Sequence, residues 1–325
     1  MTFDQLQRYR LAGELAEAIR DRTPLAILDG GSREGFLRFY LPGDRIVNLD
    51  RGAFSGEGFV RGDVLRLPFA GRSFDLTVSL DVLEHIPGGR RDELLGELAR
   101  VSRRGFIVGA PFRGGEVETA EKLAGEFSRR LRGRENEFLS QHRAEGLPGL
   151  SRTLEIGRKL GFRTAAVPSG YLPRWLAMIC LNEYLGRFDD PGELVFPANR
   201  LYHERFYRAD NAAPAYRQMI LFLREGDRDP EEIAARFAAG PAGETGSGPA
   251  LDFLEKMLET IESGKDRLID SLRREEKTRR KRAEEEVRQL TGIIDEKAAE
   301  LAEILNSRAY QVSRRIFRLF DRSRP

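Results

Sequence analysis

The segment that most constrains the fold runs from Leu25 to Gly35 and reads LAILDGGSREG. A short apolar run that ends in Asp29 and two glycines, and then enters a helical pattern, is typical of a strand, a tight turn and a helix. Glycine lets the backbone approach a ligand closely, and a helix behind the turn points unpaired N–H groups toward it. The segment predicts an α/β domain whose turn can hold a nucleotide-like ligand, although an ordinary tight turn explains these residues equally well.

Composition limits the classes of partner. The chain has 325 residues, enough for one large domain or two smaller ones. Its 54 lysines and arginines balance 52 acids, so the net charge of +2 gives no overall basic field for nucleic acid. The single Cys180 excludes an intramolecular disulfide and a multi-cysteine metal site. With no apolar run of membrane-spanning length and no signal-peptide pattern at its start, the sequence predicts a cytoplasmic protein.

Two later strands are predicted to end on a carboxylate. Arg45–Leu49 is followed by Asp50, and the apolar run Leu76–Leu80 is followed by Asp81. Ligands of open α/β sheets bind at the carboxyl ends of strands, and an acid after the second strand is where nucleotide sites hold ribose hydroxyls. Asp50 could equally cap a turn. Further strands are predicted at 105–110, 163–167 and 216–224, and helices at 3–20, 36–40, 93–101 and 150–160.

Taken in order, the segments ILDGGSREG, IVNLD, GDVLRLPF and SFDLTVSLDVLEHIP resemble the class I S-adenosylmethionine-dependent methyltransferases. The resemblance is to the small-molecule type, with a DVLEH motif after the fourth strand. It covers residues 20–112 closely and reaches more loosely to Glu225. It implies an α/β fold with a Rossmann-like seven-stranded methyltransferase sheet, S-adenosylmethionine as cofactor, and methyl transfer as the activity.

The resemblance also implies which residues bind the cofactor. Asp29, Gly31 and Gly35 match the turn that faces the methionine part, and Asp50 matches the acid that binds the ribose. The sequence departs from the family pattern at Arg33, where a glycine is usual. This arginine could crowd the cofactor or pair with its carboxylate.

The resemblance also implies which residues lie beside the adenine of the cofactor and which lie toward its methyl group. Asp63 and Val64 match the positions beside the adenine, where a carboxylate can accept a hydrogen bond from the exocyclic amine. Asp81 matches the end of the fourth strand, close to the cofactor.

The chemistry of methyl transfer narrows the catalytic candidates. Transfer from a sulfonium depends mainly on holding the reacting groups at near-attack distance, and it requires no metal. For a hydroxyl acceptor, a general base assists. The catalytic candidates are His85, Asp81 and His142, with Glu84 and His203 as further possibilities. His85 could instead orient its loop, and His142 could be a solvated helix residue.

The chain divides into a large domain and a long C-terminal segment. Residues 1–225 form the methyltransferase domain of this interpretation. The insertion 113–149 is highly charged and predicts a substrate-covering lid, and the aromatic-rich insertion 170–214 predicts an acceptor pocket or a helical cap. The polar segment 226–250, rich in glycine and proline near its end, predicts a flexible linker.

The C-terminal segment carries a heptad pattern. Apolar residues of 251–306 recur three and four residues apart, which predicts a coiled coil. A polar stretch from Glu275 offsets the two halves of the pattern, so we expect a long helix in two coiled-coil halves or a broken one. A solvated charged helix is the alternative. The basic-aromatic tail 307–325 suits an anionic membrane surface or an acidic protein groove, or is a disordered end.

These features predict the function as methyl transfer to a hydroxyl of a small molecule or glycan. Similar endings occur in methyltransferases that resemble this chain and act in bacterial surface-polysaccharide biosynthesis. We expect homo-oligomerisation or docking to a glycosyltransferase through 251–306, and peripheral contact with the inner face of the membrane through 307–325. The alternative is a degenerate cofactor-binding domain that acts as a coiled-coil scaffold, motivated by Arg33 and by the long predicted helix. Nucleic-acid methylation is disfavoured by the near-neutral charge and the absence of an N/D-P-P-Y/F motif.

Overall fold

The computed structural model describes residues 1–21, 24–52, 56, 58–187, 191–238, 247–306, 311–313 and 315. The chain has two units, Met1–Ile261 and Glu262–Pro325. The first contains the whole β-sheet, and the second contains most of the long C-terminal helix.

A seven-stranded sheet forms the centre of the first unit. Its strands are β1 (Ala26–Gly30), β2 (Arg45–Asp50), β3 (Phe59–Arg61), β4 (Phe74–Leu80), β5 (Ser102–Pro111), β6 (Phe162–Tyr171) and β7 (Ala215–Arg224). The strand order is β3-β2-β1-β4-β5-β7-β6. The first five strands pair in parallel, and β7 runs antiparallel to both of its neighbours. This sheet confirms the predicted Rossmann-like seven-stranded fold.

The described part of the chain contains nine α-helices. They are α1 (Phe3–Ile19), α2 (Arg91–Val101), α3 (Gly115–Arg132), α4 (Glu137–Glu145), α5 (Leu150–Lys159), α6 (Leu172–Leu185), α7 (Pro191–Phe206), α8 (Pro230–Phe237) and α9 (Ser247–Asn306). The predicted helix at 36–40 is a short 3₁₀ helix, Phe36–Phe39. None of the described helices is long and apolar enough to cross a membrane.

Alternate residues of each central strand enter two separate hydrophobic cores. On β1, Ile27 belongs to the core beneath α1, and Leu28 belongs to the core beneath α2. On β5, Ile107 lies in the first core and Phe106 in the second. Because side chains of a strand point alternately to opposite faces, these continuous apolar runs are buried on both sides.

The predicted insertions are helical. Residues 113–149 contain α3 and α4, and residues 170–214 contain α6 and α7. The predicted linker is structured in its first half, because α8 spans Pro230–Phe237 and packs on β6. Asp229 caps this helix through a bond from the Glu231 N–H (3.0 Å), and Phe237 enters the core beneath α1. The glycine- and proline-rich end of the predicted linker, 239–246, lies outside the described residues.

The C-terminal helix α9 is continuous from Ser247 to Asn306. The polar stretch does not interrupt it, since glutamate, lysine, arginine and alanine are good helix formers. The side chains of the first predicted seam lie outside the description, whereas Val287, Leu290 and Ile294 of the second seam are exposed. Pairing through this seam stays a prediction. The tail 307–325 lies outside the described residues apart from 311–313 and 315.

Two helical glycines give a matched test of core packing. A Cβ at Gly157 would overlap the ring of Phe222, which stacks on Phe106 at 4.1 Å between centroids and has no room to move. A Cβ at Gly96 would meet nothing within 4 Å. We expect Gly157→Ala to lower the free energy of unfolding by about 1–3 kcal/mol. We expect Gly96→Ala to raise it by about 0.5–1 kcal/mol through helix propensity alone. Urea denaturation measures both, and equal effects would contradict this packing.

Candidate functional site

A cavity of about 830 Å³ opens at the carboxyl ends of β1, β2 and β4. The ends of the first four strands and the loops that follow them contribute Gly31, Arg33, Glu34, Asp50, Arg51, Gly62, Val64, Asp81, Val82, Glu84, His85 and Ile86. Of the residues predicted to form the site, Gly31, Asp50, Val64, Asp81, His85 and His142 line this cavity. Asp29, Gly35 and Asp63 are not among its lining residues.

The turn after β1 requires glycine at Gly31. This residue has a φ of 82°, and a Cβ there would overlap the side chain of Val82. The N–H groups of Gly31 and Ser32 both bond to the Leu49 carbonyl, at 2.7 and 3.2 Å, which fixes the turn against the end of β2. Gly35, with a φ of 64°, is needed for backbone conformation and lies against Asn48 rather than at the cavity wall.

Asp29 lies behind this turn. Its side chain is almost fully buried, and Oδ2 has no hydrogen-bond partner among the described residues. Burial raises the pKa of Asp29 from 3.8 to about 7, against the opposing effect of a hydrogen bond from Ser32.

The predicted ribose and adenine positions differ in their access to the cavity. Asp50 lines it, and its Oδ1 accepts a bond from the Gly52 N–H at 2.7 Å, so the carboxylate is oriented at the end of β2. Val64 lines it as well. Asp63 instead accepts from the Leu65 N–H (2.9 Å) and pairs with Arg51 (2.9 Å), which holds its carboxylate in a turn beside the wall.

Four charged side chains form a cluster at one end of the cavity. Asp81 accepts two bonds from Arg217, each at 2.6 Å, and a third from Arg8 at 2.6 Å. Asp4 bonds to Arg8 at 2.7 Å and to Arg217 at 3.0 and 3.1 Å. All four line the cavity, and the Arg217 side chain is 1% exposed. This charged cluster joins α1, the end of β4 and β7.

The charged cluster weakens the case for Asp81 as a proton acceptor. Asp81 has a φ of 53°, a left-handed conformation that aspartate tolerates better than most residues. Burial would raise the pKa of Asp81, but the guanidinium groups of Arg217 and Arg8 outweigh it and lower the pKa below its ordinary value. A carboxylate held in this ionised state organises the cavity and accepts a proton poorly.

His85 and His142, the two histidines predicted as catalytic candidates, lie next to each other in the cavity wall. The rings of His85 and His142 lie 4.8 Å apart between centroids. His142 is buried rather than solvated, and its Nδ1 lies 2.8 Å from Oε1 of Glu121. Tyr216 donates its hydroxyl hydrogen to the same oxygen at 2.9 Å. The carboxylate of Glu121 therefore fixes the orientation of the His142 ring.

Glu84 completes a group with these histidines. Glu84, His85 and His142 each offer one donor atom, and the three atoms lie within 4.8 Å of one another. Burial and the charge of Asp81 raise the pKa of Glu84 well above its ordinary value. Burial and the neighbouring His142 lower the pKa of His85. The sequence assigned no metal ligands, but among the described residues these three could hold a metal ion.

Both insertions contribute aromatic side chains to the cavity wall. Trp175 from α6 stacks on Tyr216, with centroids 3.6 Å apart, and Phe138 from α4 also lines the cavity. The prediction of an acceptor pocket in 170–214 is thus consistent with Trp175, Ile179, Asn182, Gly186 and Val195, which line it. His203 does not line the cavity, and burial lowers its pKa to about 4, so it offers no base there.

Sequence reasoning missed Asp4, Arg8, Glu121 and Arg217. Arg217 carried a readable signal, since it is a charge inside an otherwise apolar strand. The α1 residues carried none, because an acid and an arginine four residues apart are ordinary on a helix surface. Glu121 was one of several acids in a charged insertion, with nothing in the sequence to single it out.

Residues 42–108 match the protein family described as Methyltransferase domain. A protein of Encephalitozoon cuniculi, named for an inferred methyltransferase activity, is 34% identical over 122 residues. That alignment covers 35% of this chain and 56% of the relative, so the chain spans just over half of the relative's length.

Solved structures with a similar chain path include two methyltransferases. The magnesium protoporphyrin IX methyltransferase from Synechocystis PCC 6803, solved with bound S-adenosylhomocysteine, is 15% identical over 68% of this chain and 84% of that one, with a TM-score of 0.43. A SAM-dependent methyltransferase from Thermotoga maritima is 15% identical over 68% and 92%, with a TM-score of 0.40. At these TM-scores the likeness is limited, and the strand order of this chain describes its fold more directly.

The buried carboxyl group of Asp29 predicts a specific pH dependence. Its pKa in the folded chain is about 7, above the ordinary value of 3.8, so the folded state holds a proton that the unfolded state has released between those values. The free energy of unfolding must therefore fall as the pH rises from 4 to 7, by about 4 kcal/mol from this group. The side chain of Asp29→Asn cannot ionise, so this variant lacks the pH dependence. We therefore expect its free energy of unfolding, relative to that of the wild type, to rise by about 4 kcal/mol between pH 4 and pH 7.

Urea denaturation of the ligand-free chain at several pH values measures this difference. Asp92→Asn is the matched control, because Asp92 is exposed on α2 and pairs with Arg152 at the surface. Parallel pH profiles for wild type and Asp29→Asn would contradict the assignment of a raised pKa to Asp29.

Proposed function

We propose that this chain, whose core is a class I S-adenosylmethionine-dependent methyltransferase domain, transfers a methyl group to a hydroxyl of a small molecule or glycan. The observation that carries the proposal is the composition of the cavity. Residues that match the cofactor-binding positions of the family, at or after the ends of β1, β2 and β3, line the same cavity as two histidines and several aromatic side chains. A volume of about 830 Å³ lies in the upper part of the range for small-molecule sites, enough for a cofactor and part of an acceptor.

The residues of the cavity fit S-adenosylmethionine, which supplies an activated methyl group when bound. The turn at Gly31 leaves no space for a side chain and brings backbone close to the cavity. In this arrangement Gly31 and Arg33 would hold the methionine end of the cofactor. Asp50 would accept hydrogen bonds from the ribose hydroxyls, and Val64 would pack on the adenine.

We expect the acceptor to bind beside the histidines and the aromatic side chains of the cavity. Trp175 and Tyr216 offer an apolar stacked surface on which a sugar ring or a planar acceptor can pack. His85 and His142 face the same space and can receive or stabilise the hydroxyl proton. The main contribution of the chain is to hold the acceptor oxygen in line with the methyl group and away from water.

The C-terminal segment supports a role in assembly. The exposed apolar residues of α9 recur with heptad spacing, which favours pairing with a second copy or with a partner helix. We take a second copy as the partner in the first instance. Two further proposals rest on the resemblance of the C-terminal sequence to enzymes of surface-polysaccharide biosynthesis. They are that the chain acts beside a glycosyltransferase and that it contacts the membrane through residues 307–325.

The cofactor site can be tested through Asp50. We expect Asp50→Ala to weaken the binding of S-adenosylhomocysteine by about 1–3 kcal/mol, because hydrogen bonds to a charged acceptor are lost. Calorimetric titration of the full-length chain measures the affinity, with Asp92→Ala as the control that leaves it unchanged. An unaltered affinity in Asp50→Ala would remove this residue from the site. A folded wild-type chain that binds neither S-adenosylmethionine nor S-adenosylhomocysteine would favour the scaffold alternative.

The pairing of α9 can be tested on its exposed seam. We expect Ile294→Glu with Leu301→Glu to lower the oligomeric state, because two apolar positions of the seam become charged. Gly292→Glu with Ala299→Glu is the matched control, since it adds the same charges at the same spacing on the opposite side of the heptad. Light scattering of the full-length proteins measures the mass. A mass unchanged in the first variant, or lowered equally in both, would contradict pairing through this seam.

A further inference from the structure

We propose that Glu84, His85 and His142 form a binding site for one divalent transition-metal ion, such as Mn²⁺, Co²⁺ or Zn²⁺. All three residues line the cavity, and their donor atoms lie within 4.8 Å of one another. Donor atoms around a single ion lie about 3 to 4 Å apart, given metal–ligand distances of roughly 2.0–2.2 Å. A side-chain rotation that closes the group by about 1 Å would complete the site.

Each member of this group has a buried atom that lacks a hydrogen-bond partner among the described residues. These atoms are Oε2 of Glu84, Nδ1 of His85 and Nε2 of His142. The side chains of Glu84 and His142 are more than nine-tenths buried. Buried polar atoms are paired in the great majority of cases, so three unpaired atoms in one group indicate a missing ligand. One cation placed among the three atoms could bind all of them at once.

The surroundings of His142 match those of a metal-binding histidine. Such a histidine commonly donates the hydrogen of its other ring nitrogen to a carboxylate, which fixes the ring and leaves the ligating nitrogen unprotonated. Nδ1 of His142 bonds to Glu121 at 2.8 Å, which leaves Nε2 as the unpaired nitrogen. Tyr216 bonds to the same carboxylate oxygen at 2.9 Å and holds it in place.

Asp81 is paired with two arginines, whereas Glu84 is paired with no cationic side chain among the described residues. This difference favours the binding of a cation at Glu84. Asp81 is neutralised by Arg8 and Arg217. Glu84 is only 1% exposed and forms no ion pair with another side chain in the described part of the chain. Desolvated carboxylates are costly unless they are paired or bind a metal. A divalent ion would supply the charge that the arginines supply to Asp81.

The donor set points to the class of ion. Two imidazoles and one carboxylate suit transition metals, whereas Mg²⁺ and Ca²⁺ prefer oxygen ligands throughout. Three protein ligands leave coordination positions open toward the cavity. Resting on the proposed function, we infer that an acceptor hydroxyl occupies an open position, which would hold its oxygen beside the methyl donor and lower its pKa. With the ion bound, the two histidines would act on the hydroxyl through the metal and would not receive its proton themselves. Binding of the ion itself does not depend on that role.

Metal binding to the full-length chain, freed of metal with a chelator, tests the proposal. Mn²⁺ titration followed by electron paramagnetic resonance counts bound ions, and Co²⁺ absorption reports the coordination. We expect one ion per chain and at least a tenfold loss of affinity in Glu84→Gln and in His142→Gln. His203→Gln should bind as wild type, because His203 is the remaining histidine, is similarly buried, and lies outside the cavity lining.

A further variant tests the site without replacing any of its three ligands. Glu121→Gln keeps all three ligands and is expected to weaken binding about tenfold through the orientation of His142. A folded wild-type chain that binds none of the three ions, or equal binding in the wild type and Glu84→Gln, would overturn the proposal. S-adenosylhomocysteine titration of the same samples separates the two claims. Metal binding without cofactor binding would contradict only the proposed function, and cofactor binding without metal binding would contradict only this site.

Discussion

The arrangement of the cavity depends on a largely buried cluster of four charges. Asp81 at the end of β4 is held by Arg217 from β7 and by Arg8 from α1, and Asp4 closes the cluster from α1. Burying charges is expensive unless each is paired and hydrogen-bonded, and removing one partner leaves an unpaired charge that destabilises a fold strongly. The cluster therefore fixes the first helix, a central strand and the last strand at the same point beside the cavity.

This cluster divides the cavity into two chemically different halves. On one side, the turn at Gly31 and the carboxylate of Asp50 present backbone groups and an acid suited to a nucleoside cofactor. On the other side, Glu84 and the histidine pair lie among aromatic side chains, and Phe138 packs on His85 at 5.8 Å between ring centroids. The charge of Asp81 is neutralised by the two arginines, whereas Glu84 and each histidine keep a buried atom without a hydrogen-bond partner among the described residues.

The sequence predicts the sheet well because its signals are local. Apolar runs, turn glycines and the acids after β2 and β4 lie within a few residues of one another, and the motifs carry Gly31, Asp50, Val64 and His85 to the cavity. The charged cluster could not be predicted, since its members are far apart in the sequence and each has an ordinary local context. The same holds for Glu121, whose role depends on α3 packing beside His142. The helix α8 was missed because a neighbouring glycine- and proline-rich stretch dominated the composition of 226–250.

The most direct test of the account is a crystal structure of the full-length chain with S-adenosylhomocysteine. The account predicts the ligand in the cavity, with its carboxylate near Arg33, its ribose hydroxyls on the carboxylate of Asp50 and its adenine on Val64. The sulfur should point toward the side of the cavity that holds His85 and His142. A ligand bound elsewhere, or none at a saturating concentration in an ordered chain, would contradict the assignment of this cavity as the site of methyl transfer.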